Sequence, residues 1–378
     1  MSKPEVVDCL SRLISFPSVS DRPVTEIAAF LAQRAEDAGF KVQQLPSTPG
    51  KSNVVARMGP QGQGGIVLSG HMDVVPTEGQ TWHTDPFRLS IDDDRLVGRG
   101  TADMKGFIAA VSTAIQRTRV DELKREVVLV WTHDEEVGCV GAQHLVDQWR
   151  DTLSPLPPDT WIGEPTGFHL CHSHPGHTTL EIACRGRPAH SSRPQLGLSA
   201  IQLASDVLQA LDGVAQRWLD AAQGGAPLTA LNVGEIAGGE AVNIVPEHCR
   251  LTVGFRPVPG QSDQALIEEV MAALEPAVQV ARTRGGEIQI RVRQSSPPML
   301  TDPDTPLGRT LCRHASSATP ISVPFSTDGG HLSRLGTRCL VFGPGSIDVA
   351  HRPNESICAT ALEQTVEIVH KVIHERCT

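Results

Sequence analysis

Hydrophobic positions in the first half of the chain follow two periodicities that alternate along the sequence. Apolar residues with helical spacing predict helices over residues 24–40 and 107–115. Short apolar runs, typical of buried strands, cover residues 66–68 and 127–131. Strands and helices that alternate with short connections predict an α/β domain, built on a mostly parallel sheet with helices on both faces.

From residue 177 the order of predicted elements changes. Strand, helix, strand, strand, helix and strand follow one another, which is the order of a ferredoxin-like α+β fold. These six elements are predicted over residues 178–186, 196–218, 229–237, 248–255, 262–282 and 287–293. After two prolines the helix and strand alternation resumes. We therefore expect an α/β domain in two parts, residues 1–176 and 294–378, interrupted by a smaller inserted domain at 177–293.

Composition excludes several classes of protein. The 378 residues are sufficient for two domains, and 39% hydrophobic and 20% charged residues are typical of a globular chain. A net charge of −10, without a long Lys/Arg run, argues against nucleic-acid binding. The N-terminus predicts an amphipathic helix instead of a signal peptide, and no apolar run approaches the roughly 20 residues of a spanning helix. We expect a cytoplasmic protein that binds neither membranes nor nucleic acid.

The nine cysteines do not help to define a site. They are scattered along the chain without CxxC spacing. A disulfide framework and a structural zinc knuckle are therefore not predicted.

His71 and Asp73 follow the strand predicted over residues 66–68, in the segment SGHMDVVP. Ligands of open α/β sheets bind at the carboxyl ends of the strands. Residues two apart in extended backbone point the same way, so Asp73 is placed to accept a hydrogen bond from the imidazole and to fix its tautomer. The alternative is a turn histidine beside a solvated aspartate, and the segment by itself favours neither interpretation.

Asp103 lies in GRGTADMKG, directly before the helix predicted over residues 107–115. Two interpretations are open for this residue. Aspartate is among the preferred N-cap residues, and the segment by itself favours that interpretation. The second interpretation is that Asp103 bridges two metal ions.

Three consecutive acids, Asp134, Glu135 and Glu136, follow the strand predicted over residues 127–131. Three neighbouring carboxylates at the end of a buried strand repel one another strongly unless positive charge lies among them. A pair of metal ions would remove this repulsion, with Glu136 as a ligand and Glu135 free as a general base. A solvated acidic loop is the alternative, and it fits the buried strand poorly.

Glu164 and His351 complete the set of candidate ligands. Glu164 follows a strand signal, and Pro165 after it disfavours helical backbone at Glu164. His351 follows a strand end and a Gly-Pro-Gly turn. The five candidates are then two imidazoles and three carboxylates at strand ends of one sheet. Such a set, without a thiolate, suits zinc, cobalt or manganese.

In this order, the motifs GHMDVVP, GRGTADMKG, DEEVG, GEPTG and AHRPNE resemble those of the zinc-dependent M20 metallopeptidase family. Within that family they are similar to acetylornithine deacetylases and succinyl-diaminopimelate desuccinylases, and the resemblance covers nearly the whole chain. It implies two divalent metal ions, zinc first and cobalt or manganese as alternatives. The implied ligands are His71 and Glu164 for one ion, Glu136 and His351 for the other, and Asp103 for both.

The resemblance also implies roles for residues around the metal ions. Asp73 would orient His71, Glu135 would be the general base, and the peptide between Asp103 and Met104 would be cis. These roles give a zinc-dependent amidohydrolase that acts on linear amides.

The inserted domain matches the lid and dimerisation domain of the family, which implies a homodimer. His190, in GRPAHSS, would donate a hydrogen bond to the oxyanion in the active site of the partner subunit. Asn243 and Arg256 match positions that hold the amide and carboxylate of the substrate, and the planar fork of an arginine suits a carboxylate. Thr327 and Gly329 belong to a loop that would line the substrate pocket.

The implied substrates are small N-acyl amino acids, with N-acetyl-L-ornithine first, which would place the enzyme in arginine biosynthesis. One segment departs from this pattern. Residues 326–331, STDGGH, stand where many acetylornithine deacetylases carry Gly-Thr-Glu, and they look more like a desuccinylase or aminoacylase. A desuccinylase or a dipeptidase is therefore an alternative, with Arg352 as the candidate partner of a second substrate carboxylate. A member that binds ligand without catalysis is a third possibility, against which the intact ligand set and Glu135 argue.

Overall fold

The computed structural model describes residues 4–20, 22–62, 64–152, 154–225 and 228–378. The chain forms two compact units. One is formed by the residues up to His174 together with Met299–Thr378, and the other by Pro175–Pro298.

Nine α-helices and sixteen strands lie within the described residues. The helices are α1 (Glu5–Ile14), α2 (Thr25–Asp37), α3 (Lys105–Ala114), α4 (Val140–Thr152), α5 (Ala200–Gln223), α6 (Asp263–Thr283), α7 (Pro306–Cys312), α8 (Gly329–Leu332) and α9 (Ala359–Cys377). The strands are β1 (Lys41–Pro46), β2 (Ser52–Met58), β3 (Ile66–His71), β4 (Ser90–Asp92), β5 (Arg95–Val97), β6 (Val127–Thr132), β7 (Asp159–Ile162), β8 (Cys171–His174), β9 (His177–Arg185), β10 (Leu231–Gly238), β11 (His248–Phe255), β12 (Glu287–Ser296), β13 (Met299–Leu300), β14 (Ile321–Ser322), β15 (Arg338–Val341) and β16 (Ser356–Cys358).

A nine-stranded sheet forms the centre of the first unit. Its order is β1-β2-β6-β3-β7-β15-β8-β13, with β14 paired to β8. The four central strands β6, β3, β7 and β15 are parallel, as the alternation of strands and helices predicts. The outer pairs along this order are antiparallel. The predicted fold class is therefore confirmed, with antiparallel strands added at both edges.

Helices cover both faces of this sheet, and strand β6 shows why its sequence is a continuous apolar run. Every residue of β6 is buried. Val127, Leu129 and Trp131 point into a core shared with α1, α2, α3 and α9, whereas Val128 and Val130 point into a core shared with α4. A strand that is buried on both faces cannot show the apolar and polar alternation of a half-exposed strand.

The second unit contains a four-stranded antiparallel sheet in the order β10-β11-β9-β12. Buried and half-buried residues alternate along β9, because one face packs on α5 and α6. The element sequence β9-α5-β10-β11-α6-β12 with this strand order is ferredoxin-like, as predicted. None of the described helices in either unit is both long and apolar enough to cross a membrane.

Gly163, directly after β7, packs tightly against Phe107, and this contact generates a stability prediction. A Cβ added to Gly163 would lie 1.9 Å from Cγ of Phe107. The Phe107 ring is buried and packs on Trp161 at a centroid distance of 5.3 Å, so it has little room to move. We expect Gly163→Ala to lower the free energy of unfolding by about 2 kcal/mol or more, measured by urea denaturation.

The matched control is Gly62→Ala, where an added Cβ meets no described atom within 4 Å. This variant should stay within about 0.5 kcal/mol of the wild type. Equal stability of the Gly163→Ala and wild-type proteins would contradict the packing argument.

Candidate active site

Two groups of three potential ligand side chains meet at Asp103. His71, Asp103 and Glu164 form the first group, and Asp103, Glu136 and His351 form the second. Within each group the potential ligand atoms lie within 4.8 Å of one another. Each group therefore offers one imidazole and two carboxylates, which is a donor set that fits a divalent metal ion.

Asp103 presents a different oxygen to each group. Its Oδ1 lies 3.0 Å from Nε2 of His71, and its Oδ2 lies 3.2 Å from Nε2 of His351. The second imidazole also lies 2.9 Å from Oε2 of Glu136, and the first lies 3.8 Å from Oε1 of Glu164. This arrangement is what a carboxylate that bridges two ions requires.

The N-cap interpretation of Asp103 is wrong. Met104 is the N-cap residue of α3, and the peptide between Asp103 and Met104 is cis, as the family resemblance implied. The main-chain N–H of Asp103 donates to Oε1 of Glu355, which also accepts from the N–H of Ala102. These hydrogen bonds fix the loop that carries Asp103, so its carboxylate is free to face the two imidazoles.

Parallel strands bring the other candidate ligands to the same edge of the sheet. His71 ends β3, Glu136 follows β6, and Glu164 follows β7. The carboxyl ends of adjacent parallel strands lie side by side, so residues far apart in sequence become neighbours. His351 comes from the loop after β15, and its main chain is in the left-handed region at φ 62°.

Asp73 connects two of these strand ends. Nδ1 of His71 lies 3.0 Å from the main-chain oxygen of Asp73, and the Asp73 carboxylate is farther away, at 3.7 Å. That carboxylate instead accepts hydrogen bonds from the N–H groups of Glu135 (3.1 Å) and Glu136 (3.3 Å) and from the Ser20 hydroxyl (2.8 Å). The predicted hydrogen bond from the imidazole to the Asp73 side chain is replaced by one to the main chain. The main chain makes that contact, and the side chain holds the acidic turn.

Burial and mutual repulsion dominate the electrostatics of the site. Burial, together with the charge of Asp103, raises the pKa of Glu136 to about 7. Burial likewise raises the pKa of Glu164 well above its usual value. Hydrogen bonds to Asp103 and Glu136 raise the pKa of His351 to about 10. Crowded carboxylates with raised pKa values indicate a site that favours added positive charge.

Glu135 lies beside the two ligand groups and belongs to neither. Its Oε1 accepts a hydrogen bond from Sγ of Cys139 at 3.4 Å, and burial raises its pKa well above the usual value. A carboxylate oxygen of Asp328 lies within 4.8 Å of a carboxylate oxygen of Glu135 and of the sulfur of Cys139. Glu135, Cys139 and Asp328 thus form a third cluster of potential ligand atoms, separate from the two that share Asp103.

Asp328 is a site residue that sequence reasoning missed. It is only 2% exposed, its Oδ2 accepts from the Thr132 hydroxyl at 2.5 Å, and burial raises its pKa to about 6. Its position in the 326–331 segment is a signal, because the sequence predicts that this segment lines the substrate pocket. Neighbouring Thr327 is also buried, with its hydroxyl 3.0 Å from Nε2 of His174 and bonded to the N–H of Gly329.

Three of the sequence-predicted site residues, His190, Asn243 and Arg256, belong to the second unit and are exposed. Nδ1 of His190 accepts the main-chain N–H of Ser192 at 3.1 Å. A neutral His190 ring must therefore carry its proton on Nε2, which makes Nε2 a hydrogen-bond donor. The main-chain oxygen of Asn243 accepts from the N–H of Ser191.

Comparisons with known proteins identify the family of this chain and proteins of similar structure. The sequence model of Peptidase family M20/M25/M40 matches residues 67–375. A metallo-carboxypeptidase of the M20 family from Sulfolobus solfataricus is similar in structure, with a TM-score of 0.76, 20% identity, and coverage of 98% of this chain and 99% of that one.

Two bacterial structures are also similar. Aminopeptidase PepT from Bacillus cereus gives a TM-score of 0.70 at 23% identity, with 98% of both chains covered. A dinuclear metal-binding M20 peptidase from Bacillus subtilis gives 0.67 at 14% identity, with 98% of this chain and 97% of that one covered. At these identities the structural likeness concerns the fold, whereas the family match spans most of the chain.

The crowded carboxylates generate a pH prediction for the metal-free protein. The folded-state pKa of Glu136, about 7, lies above its unfolded value of 4.5, so the folded state binds more protons between these values. The free energy of unfolding should therefore fall as the pH rises from about 5 to 7. In Glu136→Gln this decline should be smaller, by on the order of 1 kcal/mol over the range, measured by urea denaturation with a chelator present.

His351 acts in the same direction at higher pH, because its stabilising contribution is lost as the pH rises towards its folded pKa of about 10. Glu26→Gln, at an exposed position on α2, is the matched control and should keep the wild-type decline. A metal-free protein whose stability increases between pH values of about 5 and 7 would argue against the electrostatic description.

Proposed function

Because this chain belongs to peptidase family M20/M25/M40, and is therefore a hydrolase of peptide or amide bonds, we propose that it is a two-metal deacylase of small N-acyl amino acids. The observation that carries this proposal is the position of the Asp103 carboxylate. Its two oxygens face two separate groups of ligands, and Glu135 lies beside them without joining either group.

The proposed ligands are His71 and Glu164 for one ion and Glu136 and His351 for the other, with Asp103 shared. Zinc is the first candidate, because imidazole and carboxylate ligands without thiolate are typical of catalytic zinc, and cobalt and manganese accept the same donors. When bound, such a pair of ions lowers the pKa of a water molecule from about 15.7 towards 7 and polarises the amide carbonyl.

Glu135 is the proposed general base. It takes a proton from the attacking water while the new bond forms between the water oxygen and the amide carbon. When the carbon–nitrogen bond breaks, Glu135 returns that proton to the leaving amine. Asp73 supports this role, because its carboxylate binds the main-chain N–H of Glu135 and so limits where the base can move.

His190 is the proposed donor to the oxyanion of the tetrahedral intermediate. The tautomer set by Ser192 leaves a proton on Nε2, which is the nitrogen that such a donor needs. We propose that it acts in the active site of a partner subunit, in a homodimer formed through the second unit. Arg256 and Asn243 would hold the carboxylate and amide of the substrate, and Thr327 and Gly329 would support the pocket wall.

N-acetyl-L-ornithine is the first proposed substrate, which gives acetate and ornithine and a place in arginine biosynthesis. The support for it is the similarity of the DEEVG, GEPTG and AHRPNE segments to those of acetylornithine deacetylases. Succinyl-diaminopimelate is the second candidate. It is favoured by the STDGGH segment and by Arg352, an exposed residue next to His351 that suits a second substrate carboxylate.

A substrate panel tests the proposal. Zinc-loaded protein is assayed against N-acetylornithine, N-acetylcitrulline, N-succinyl-diaminopimelate, other N-acyl amino acids and dipeptides, with a chelated sample as control. We expect hydrolysis of N-acetylornithine, and a loss of kcat of about 1,000-fold in Glu135→Gln with zinc binding unchanged. Hydrolysis of dipeptides alone would overturn the deacylase assignment, and a fully active Glu135→Gln would overturn the base.

Mixing two inactive variants tests whether His190 acts in trans. In a mixed dimer of Glu135→Gln and His190→Ala subunits, the His190→Ala subunit keeps its base and receives His190 from its partner. Random exchange of subunits should therefore restore about a quarter of wild-type activity. Each variant exchanged with itself is the control. Failure of the mixture to recover activity, or sedimentation of the active enzyme as a monomer, would contradict the trans arrangement.

A further inference from the structure

The main chain around His351 is held in a conformation that ordinary residues avoid. His351 and Asn354 have φ of 62° and 60°, in the left-handed region. A non-glycine residue there costs on the order of 1–3 kcal/mol and persists only where its surroundings hold it. The His351 side chain is also 51% exposed, whereas that of His71 is 1% exposed and ends a buried strand. His71 is held by a regular buried strand, whereas His351 needs contacts to its main chain to keep this conformation.

Gln80 makes the contact to the His351 main chain. Its Nε2 donates to the carbonyl oxygen of His351 at 2.9 Å. Its Oε1 accepts from Nη2 of Arg99 at 2.6 Å and from Nε1 of Trp82 at 3.1 Å. Arginine and tryptophan only donate, so a flipped amide would place its NH₂ group against two donors. The orientation of the Gln80 amide is therefore fixed, and its donor must face His351.

Arg99 anchors this contact in the buried part of the site. It is 1% exposed, with its guanidinium 5.0 Å from the centroid of the Trp82 ring. Its Nη1 donates to Oε2 of Glu355 at 2.7 Å and to the main-chain oxygen of Arg352 at 3.3 Å. Glu355 in turn binds the loop that carries Asp103. One buried cation thus connects the Asp103 loop, the His351 segment and Gln80.

We propose that Gln80 is a positioning residue for one half of the metal centre, the half formed by Glu136 and His351. It holds the His351 main chain in the left-handed conformation that points Nε2 at Asp103 and Glu136. Within the described residues, the side-chain hydrogen bonds of Gln80 go to the His351 main chain, Arg99 and Trp82, and none goes to a ligand atom of the proposed ions, so it acts through His351. This assignment rests on the proposed two-metal function. It names the residue that holds His351 in place before a metal ion binds.

Zinc titration of the metal-free protein by calorimetry tests the assignment. The wild type should bind two equivalents. In Gln80→Leu, which removes the donor and the acceptor, we expect about tenfold weaker binding of one equivalent and unchanged binding of the other. Gln80→Glu keeps an acceptor for Arg99 and Trp82 but places oxygen against the His351 carbonyl, so it should lose the same equivalent.

Two controls separate positioning from general destabilisation. Glu78→Gln changes an exposed residue of the same loop and should titrate like the wild type. Thermal unfolding of the metal-free Gln80 variants measures the stability lost with the acceptor for buried Arg99, which should lower the melting temperature without unfolding the protein at the temperature of the titration. In a His351→Ala background, Gln80→Leu should have no further effect on zinc binding, because the residue through which it acts is gone.

The outcomes distinguish this assignment from the function on which it rests. A wild-type protein that fails to bind two equivalents of zinc would overturn the two-metal function and the assignment together. Two wild-type equivalents with unchanged titration of Gln80→Leu would overturn the assignment alone. So would wild-type binding by Gln80→Glu beside weakened Gln80→Leu, because Gln80 would then act through Arg99 and not through His351.

Discussion

The charge on Asp103 is the constraint around which the first unit is organised. This carboxylate is 5% exposed and shares its two oxygens between the imidazoles of His71 and His351. An ionised group out of water is stable only with partners for its lone pairs, and Glu136 and Glu164 beside it add repulsion. Burial, with the charge of Asp103 added to it, raises the pKa values of those two neighbours. Added cations would relieve the repulsion among these carboxylates.

The surrounding fold keeps these groups together despite their repulsion. Parallel strands β3, β6 and β7 deliver three strand ends to one edge, and the Asp73 carboxylate joins two of them through the N–H groups of Glu135 and Glu136. Glu355 fixes the Asp103 loop in a similar way, because the Glu355 carboxylate accepts four hydrogen bonds from that loop. In both cases a buried carboxylate binds main-chain N–H groups, which fixes the backbone and leaves the side chains of the candidate ligands free to face the site.

The candidate ligands could be predicted because each stands directly after a recognisable strand or turn. The parallel centre of the sheet and the ferredoxin-like order of the second unit could be predicted from the hydrophobic periodicity and the order of the elements. Asp103 misled when it was considered alone, because an aspartate before a helix is usually a cap, and the structure gives that position to Met104. Asp328 was missed because its short segment carries no periodicity, and only contact with Thr132 reveals its burial beside Glu135.

The sequence by itself determined the fold class, the kinds of side chain at the strand ends and the family to which the chain belongs. These depend on local periodicity and on motifs a few residues long. Only the tertiary structure decided which oxygen of Asp103 meets which imidazole, that the Asp73 carboxylate binds the main chain of the acidic turn, and that the Gln80 side chain donates a hydrogen bond to the main chain of His351. Gln80 and His351 are 271 positions apart. Such contacts follow from how the sheet and its loops close in space, and no local pattern in the chain encodes them.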